Sequence, residues 1–78
     1  MGRFWKIRAM IERVGGGTPM EELYVVAVGD TPEAAMEALR LRKQLDDVPL
    51  TVTGEISPAT AADFDIRPGN ILCVWRIA

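Results

Sequence analysis

"RVGGGTPMEELYVVAV", residues 13–28, is the stretch on which the fold turns. Three glycines followed by Thr18 suit a phosphate cradle or a hairpin tip, and the flanking residues decide between them. A nucleotide-binding loop needs Lys-Ser/Thr directly after its glycines and a helix opening behind them, so that amide groups and the helix dipole point at the phosphate. Here Thr18-Pro19-Met20 follows, and Leu23 to Val28 is an apolar, β-branched run bounded by Gly29-Asp30. Upstream, Arg3 to Val14 alternates. Trp5, Ile7, Ala9 and Ile11 share one face, and Phe4, Lys6, Arg8, Met10 and Glu12 share the other. Two such runs joined by glycines, which take the positive φ of hairpin turns at little cost, read as a β-hairpin. The Gly15–Gly17 loop is then a contact element at most, not a phosphate site.

Working outward, "DTPEAAMEALRLRKQLDDVP" (30–49) predicts one helix from Thr31 to Leu45. Thr31 caps it, Pro32 fits its first position, Glu33 favours the positive end of the dipole, and Pro49 closes the segment. A helical wheel groups Ala34, Ala38, Leu41 and Leu45 on the buried face, with Ala35 and Leu39 beside them. On that reading Leu41→Ala costs about 2–5 kcal/mol. Leu50 to Ile56 alternates as a half-exposed strand, Ser57-Pro58 opens a helix of a turn or two, Pro68-Gly69 marks a type II turn, and Ile71 to Ile77 forms the last strand. The chain is expected to be one α+β domain over residues 1–78, in the order ββαβ(short helix)β. Its four-stranded sheet is expected to be mixed, with the helix packed on one face. Strands one and four are expected to be adjacent and parallel, because each is apolar on both sides.

The tail "TAADFDIRPGNILCVWRI" (60–77) resembles the end of the ubiquitin-like β-grasp family, in which a Thr-x-x-Asp-Tyr-Asn-Ile turn precedes a final Leu-x-Leu strand. Thr60, Asp63, Phe64, Asp65 and Ile66 match the turn, and Leu72 and Val74 fall on the core positions of the strand. "DTPEAAMEAL" (30–39) looks like the start of the family's helix, and the element order is that of a β-grasp. The resemblance implies a β-grasp-like fold with Leu72 and Val74 buried, whereas alternation alone buries Ile71, Cys73, Trp75 and Ile77. It implies neither conjugation nor sulfur transfer, because the family's C-terminal Gly-Gly is replaced by Arg76-Ile77-Ala78.

The chemistry open to this chain is narrow. It has no histidine, which removes the commonest general base and transition-metal ligand. Its single cysteine, Cys73, excludes an internal disulfide and a structural zinc site of four Cys or His ligands. Between Leu72 and Val74 that thiol reads as a small buried hydrophobe, not a nucleophile. The acidic pairs Glu21-Glu22, Asp46-Asp47 and Asp63/Asp65 lack calcium-loop spacing and read as solvated turns. No catalytic, cofactor-binding or metal-binding residue is assigned, no cofactor is expected, and the chain is taken to be no enzyme. No apolar run of signal-peptide or membrane-spanning length occurs, and Lys6 stands where a myristoylation pattern wants Ser or Thr, so the expected location is the cytoplasm, without membrane association. Seven of the nine basic residues are Arg and alanine is abundant, which suggests a GC-rich bacterial genome.

What remains is a surface. Phe4, Lys6, Arg8 and Met10 interleave aromatic, basic and soft apolar groups on the outward face of strand one, and Trp75 is an aromatic of the kind found at interface hot spots. The first reading is a small adaptor or regulatory module that binds an unidentified protein through this face or by strand addition at a sheet edge. The double-sided apolarity of Leu23 to Val28 also allows a homodimer. The second reading is an RNA-associated protein using Lys6 and Arg8. The net charge of −2 weighs against it, because phosphate neutralisation drives such binding.

Overall fold

In a computed structural model, which describes residues 3–12 and 15–77, the elements are β1 (Phe4–Ile11), β2 (Met20–Val26), α1 (Pro32–Lys43), β3 (Leu50–Ile56), α2 (Pro58–Asp63) and β4 (Ile71–Ile77). The predicted α+β class and element order are those observed. β1 and β2 form the antiparallel hairpin, with Trp5 opposite Val26 and Ile11 opposite Met20. Gly15, Gly16 and Gly17 in its loop have φ of 89°, 90° and 102° and face open space, a conformation that side chains resist. β1 stops at Ile11, short of the expected Glu12, and the rest of the predicted extension, to Val14, lies outside the described residues.

The local signals act as their chemistry dictates. Ala34 N–H donates to Thr31 Oγ1 at 3.2 Å, and Thr60 N–H to Ser57 Oγ at 3.1 Å, so both helices start on a hydroxyl cap followed by proline. Asn70 N–H donates to Arg67 O at 3.1 Å across Pro68-Gly69, closing the predicted turn, and Ala27 holds that turn through two backbone bonds of 2.8 Å.

The pairing of strands departs from expectation. The sheet order is β3-β1-β2-β4, and every neighbouring pair is antiparallel. The sheet is therefore not mixed, and β4 lies against β2 instead of beside β1. Likeness to the β-grasp is one of element order and not of strand pairing. Apolar residues on both faces of β1 and β2 have another cause: the hairpin is central, and both of its faces carry a core. On one face Trp5, Ile7, Ala9, Tyr24 and Val26 pack under Ala35 and Leu39 of α1, with Ile71 and Cys73 against them. On the other, Phe4, Val25 and Ala27 pack with Ala61 of α2 and Ile66, joined by Ile56 and Val74. The short helix thus roofs a second, smaller core that its length did not announce.

The buried face of α1 is also corrected. Leu41 is 71% exposed, while Ala35 and Leu39 are fully buried. The helix ends at Lys43 because Gln44 enters the left-handed region at φ 55°, ψ 49°. Leu45 is buried after this reversal, off the helix axis, so including it in the wheel turned the apparent stripe away from Leu39. Arg40 secures the reversal, donating from one guanidinium nitrogen to the carbonyls of Leu45, Asp46 and Val48 at 3.0, 3.0 and 2.9 Å.

Candidate interaction surface

Strand period two puts Lys6, Arg8 and Met10 on the sheet face that α2 partly covers. Phe4, at the covered end, is 6% exposed beneath α2, so it belongs to the core and not to the candidate surface. Lys6 lays its stem over Gly54, where an added Cβ would lie 3.4 Å from Lys6 Cε. Arg8 is half-buried, and its Nε is enclosed without a hydrogen-bond partner among the described residues.

Trp75 reaches this face through a defect in β4. The β2–β4 register runs from Tyr24 opposite Cys73 to Leu23 opposite Trp75, leaving Val74 as a bulge. The extra residue shifts the alternation by one. Before it, Ile71 and Cys73 face α1; after it, Trp75 shares the face of Leu23, and Arg76 that of Glu22. The two expectations for this strand are each right for part of it. Ile71 and Cys73 are half-buried as alternation requires, and Val74 packs into the second core as the resemblance implies. Leu72 and Trp75 are exposed, at 41% and 61%, and only the backbone of Ile77 is described.

The register therefore aligns Arg8, Leu23 and Trp75 across three strands, with Lys6, Val25 and Leu72 in the next row and Met10 beside Glu21 in the row beyond. Four of the five residues singled out in the sequence, Lys6, Arg8, Met10 and Trp75, share this open half-face; Phe4 does not. Leu23 and Leu72 join it, and sequence reasoning missed both. The geometry offers an exposed indole and aliphatic groups for desolvation beside two cations.

The opposite face carries a group that sequence reasoning misread. Glu22 is not a solvated turn residue: it lies in β2 and is 3% exposed. Its carboxylate accepts from Arg76 Nε at 2.6 Å and from the Tyr24 hydroxyl at 3.0 Å, with Cys73 Sγ at 3.8 Å. The guanidinium of Arg76 is held in its charged form by this carboxylate. The signal was available, because Glu22 shares strand parity with Tyr24 and Val26. Among the described residues, no group of three or more His, Cys, Asp or Glu side chains is placed to hold a metal ion.

Burial and the neighbouring Glu22 carboxylate disfavour tyrosinate, raising the Tyr24 pKa from 10.0 to about 12. A group whose pKa is raised on folding contributes stability fully below its unfolded value and loses it as pH climbs through the folded one. A shift of that size corresponds to about 2–3 kcal/mol, lost between pH 10 and about 12. Tyr24 is the only tyrosine, so tyrosinate absorbance reports it alone. Ionisation should coincide with unfolding, and Tyr24→Phe should flatten the alkaline loss of stability. A free titration near pH 10 in the folded protein would refute both the burial of Tyr24 and its hydrogen bond to Glu22.

No protein-family model, curated protein or solved structure matches this chain. Among the described residues no helix is long and apolar enough to cross a membrane.

Proposed function

We propose that this chain is a non-enzymatic protein-contact module, β-grasp-like in element order, whose contact surface is the open half-face around Trp75, Leu72, Leu23, Arg8 and Lys6. The observation that carries this reading is the exposure of Trp75 on the sheet next to Leu72. Exposed single aliphatics are ordinary, but an indole grouped with leucines and bordered by guanidinium and ammonium groups has the make-up of a binding hot spot. Such a surface draws its affinity from desolvating the indole, with the cations at the rim.

A second reading, single-stranded RNA, is favoured by one observation: Lys6, Arg8 and Trp75 lie on one face, as stacking and phosphate pairing require. Salt separates the two readings. Binding to a mixed single-stranded RNA pool would fall steeply with salt and vanish in Lys6→Ala/Arg8→Ala. A protein interface would tolerate that double change better than loss of the indole. Partner capture from the native cell should survive Lys6→Ala/Arg8→Ala but weaken by about 30-fold or more in Trp75→Ala. Tight, salt-sensitive RNA binding that the double substitution abolishes would replace the protein-contact reading with the RNA one.

A further inference from the structure

The two edges of the sheet are not alike. β3 presents Thr51, Thr53 and Glu55 and breaks its register against β1 between Lys6 and Ile7, so its edge is polar and irregular. Such features discourage further pairing. β4 reads ILCVWRI: it has no lysine or proline, and its one charged side chain, Arg76, is engaged by Glu22. Among the described residues its only strand neighbour is β2, so from Ile71 to Cys73, before the bulge at Val74, its outward N–H and C=O groups form an unguarded template. At the start of that strand lies a cleft of about 550 Å³, lined by Asn70, Ile71 and Leu72 and by Arg42 and Lys43 of α1. Asp65 and Ile66 complete it, leaving two cations against one carboxylate. Arg42 is fixed at its place by donating to Gly69 O at 2.6 Å, so its charge is positioned before any ligand arrives.

We infer that the β4 edge takes an extended peptide segment of a partner protein by strand addition, with aliphatic side chains along Ile71 and Leu72 and a carboxylate facing Arg42 and Lys43. The inference rests on the protein-contact reading but places the contact on the edge and names its chemistry. Main-chain pairing supplies affinity in this mode, and the cleft supplies selectivity. The carboxylate follows from the excess positive charge at the end of α1; a basic segment would meet two like charges.

The test is a titration of isotope-labelled protein, followed by NMR, with three synthetic probes. The first is a short valine–threonine peptide bearing one glutamate. The second carries lysine in place of that glutamate, and the third is the acidic peptide with alternate amides N-methylated to block ladder bonds. The acidic peptide should shift the amides of Ile71 to Trp75 and the Arg42 guanidinium signal. The other two should bind about tenfold or more weakly. Lys43→Glu, which changes an exposed side chain, should weaken the acidic peptide and favour the lysine one, and Arg42→Glu/Lys43→Glu should do so more strongly. Equal binding of acidic and basic peptides, or no shift at the β4 amides with any probe, would overturn the inference. Shifts confined to Lys6, Arg8, Leu23 and Trp75 would overturn it too, yet leave the open-face reading standing, which the Trp75→Ala capture experiment tests separately.

Discussion

Leu39→Ala should unfold this domain or bring it close to unfolding, whereas Leu41→Ala, two residues on, should leave its stability within about half a kcal/mol of wild type. Leu39 is fully buried between α1 and the central hairpin, and Leu41 is 71% exposed. Truncating a buried leucine loses its transfer free energy and leaves a cavity, about 2–5 kcal/mol together. A single core in a chain this short supplies a net of only about 3–5 kcal/mol, so the loss is comparable to the whole. Chemical denaturation of the two variants side by side is the measurement. Similar midpoints would mean that α1 is rotated about its axis from the orientation described, and a greater loss from Leu41→Ala would restore the face that the helical wheel suggested.

Gly29→Ala should also be strongly destabilising, at about 2–4 kcal/mol. Gly29 joins β2 to α1 with φ +92°, and an added Cβ would sit 2.9 Å from Ala34 Cβ and 3.0 Å from Ala35 N. Neither atom can retreat: both belong to the first turn of α1, which Thr31 caps and Ala35 anchors in the core. The carbonyl of Gly29 also accepts from the buried Trp5 indole N–H at 3.2 Å, so displacing the junction strains that bond as well. The expected outcome is a lowered melting temperature with the Trp5 environment altered in near-ultraviolet circular dichroism. An unchanged melting temperature would show that the junction can be rebuilt, and with it the docking angle of α1. By contrast, alanine in place of Gly16, which has only open space around it, incurs the conformational cost alone.

These two sites illustrate what a single sequence makes legible. Thr31, Ser57 and the Pro68-Gly69 turn act within a few residues of themselves, so local chemistry alone makes each legible. Strand pairing is a long-range choice. The apolar runs of β1 and β4 suggest that the two lie together, but a central hairpin roofed on both faces produces the same pattern. The helix face failed for a smaller reason, the left-handed Gln44, which removed Leu45 from the wheel. In the candidate surface, the common face of Lys6, Arg8 and Met10 follows from period two alone. Trp75 joins them only because Val74 bulges, and Phe4 leaves them only because α2 lies over it. Neither event has a signature in the residues concerned.

The strand order has a consequence for how the molecule is assembled. The hairpin occupies the centre, and the later strands dock outward from it, β3 on the flank of β1 and β4 on the flank of β2. No strand threads between two already paired, so each docking step closes a longer loop than the hairpin did but disturbs nothing formed before it. When the strands add in chain order, the last step does two things at once: β4 fills the open flank of β2, and the segment leading into it brings Ala61 and Ile66 over Phe4, Val25 and Ala27. Until then an apolar sheet face and an unpaired strand are bare together. In that interval another molecule's β4 can take the same place with the same contacts, so the kinetic hazard built into this topology is domain swapping, and it grows with protein concentration during refolding.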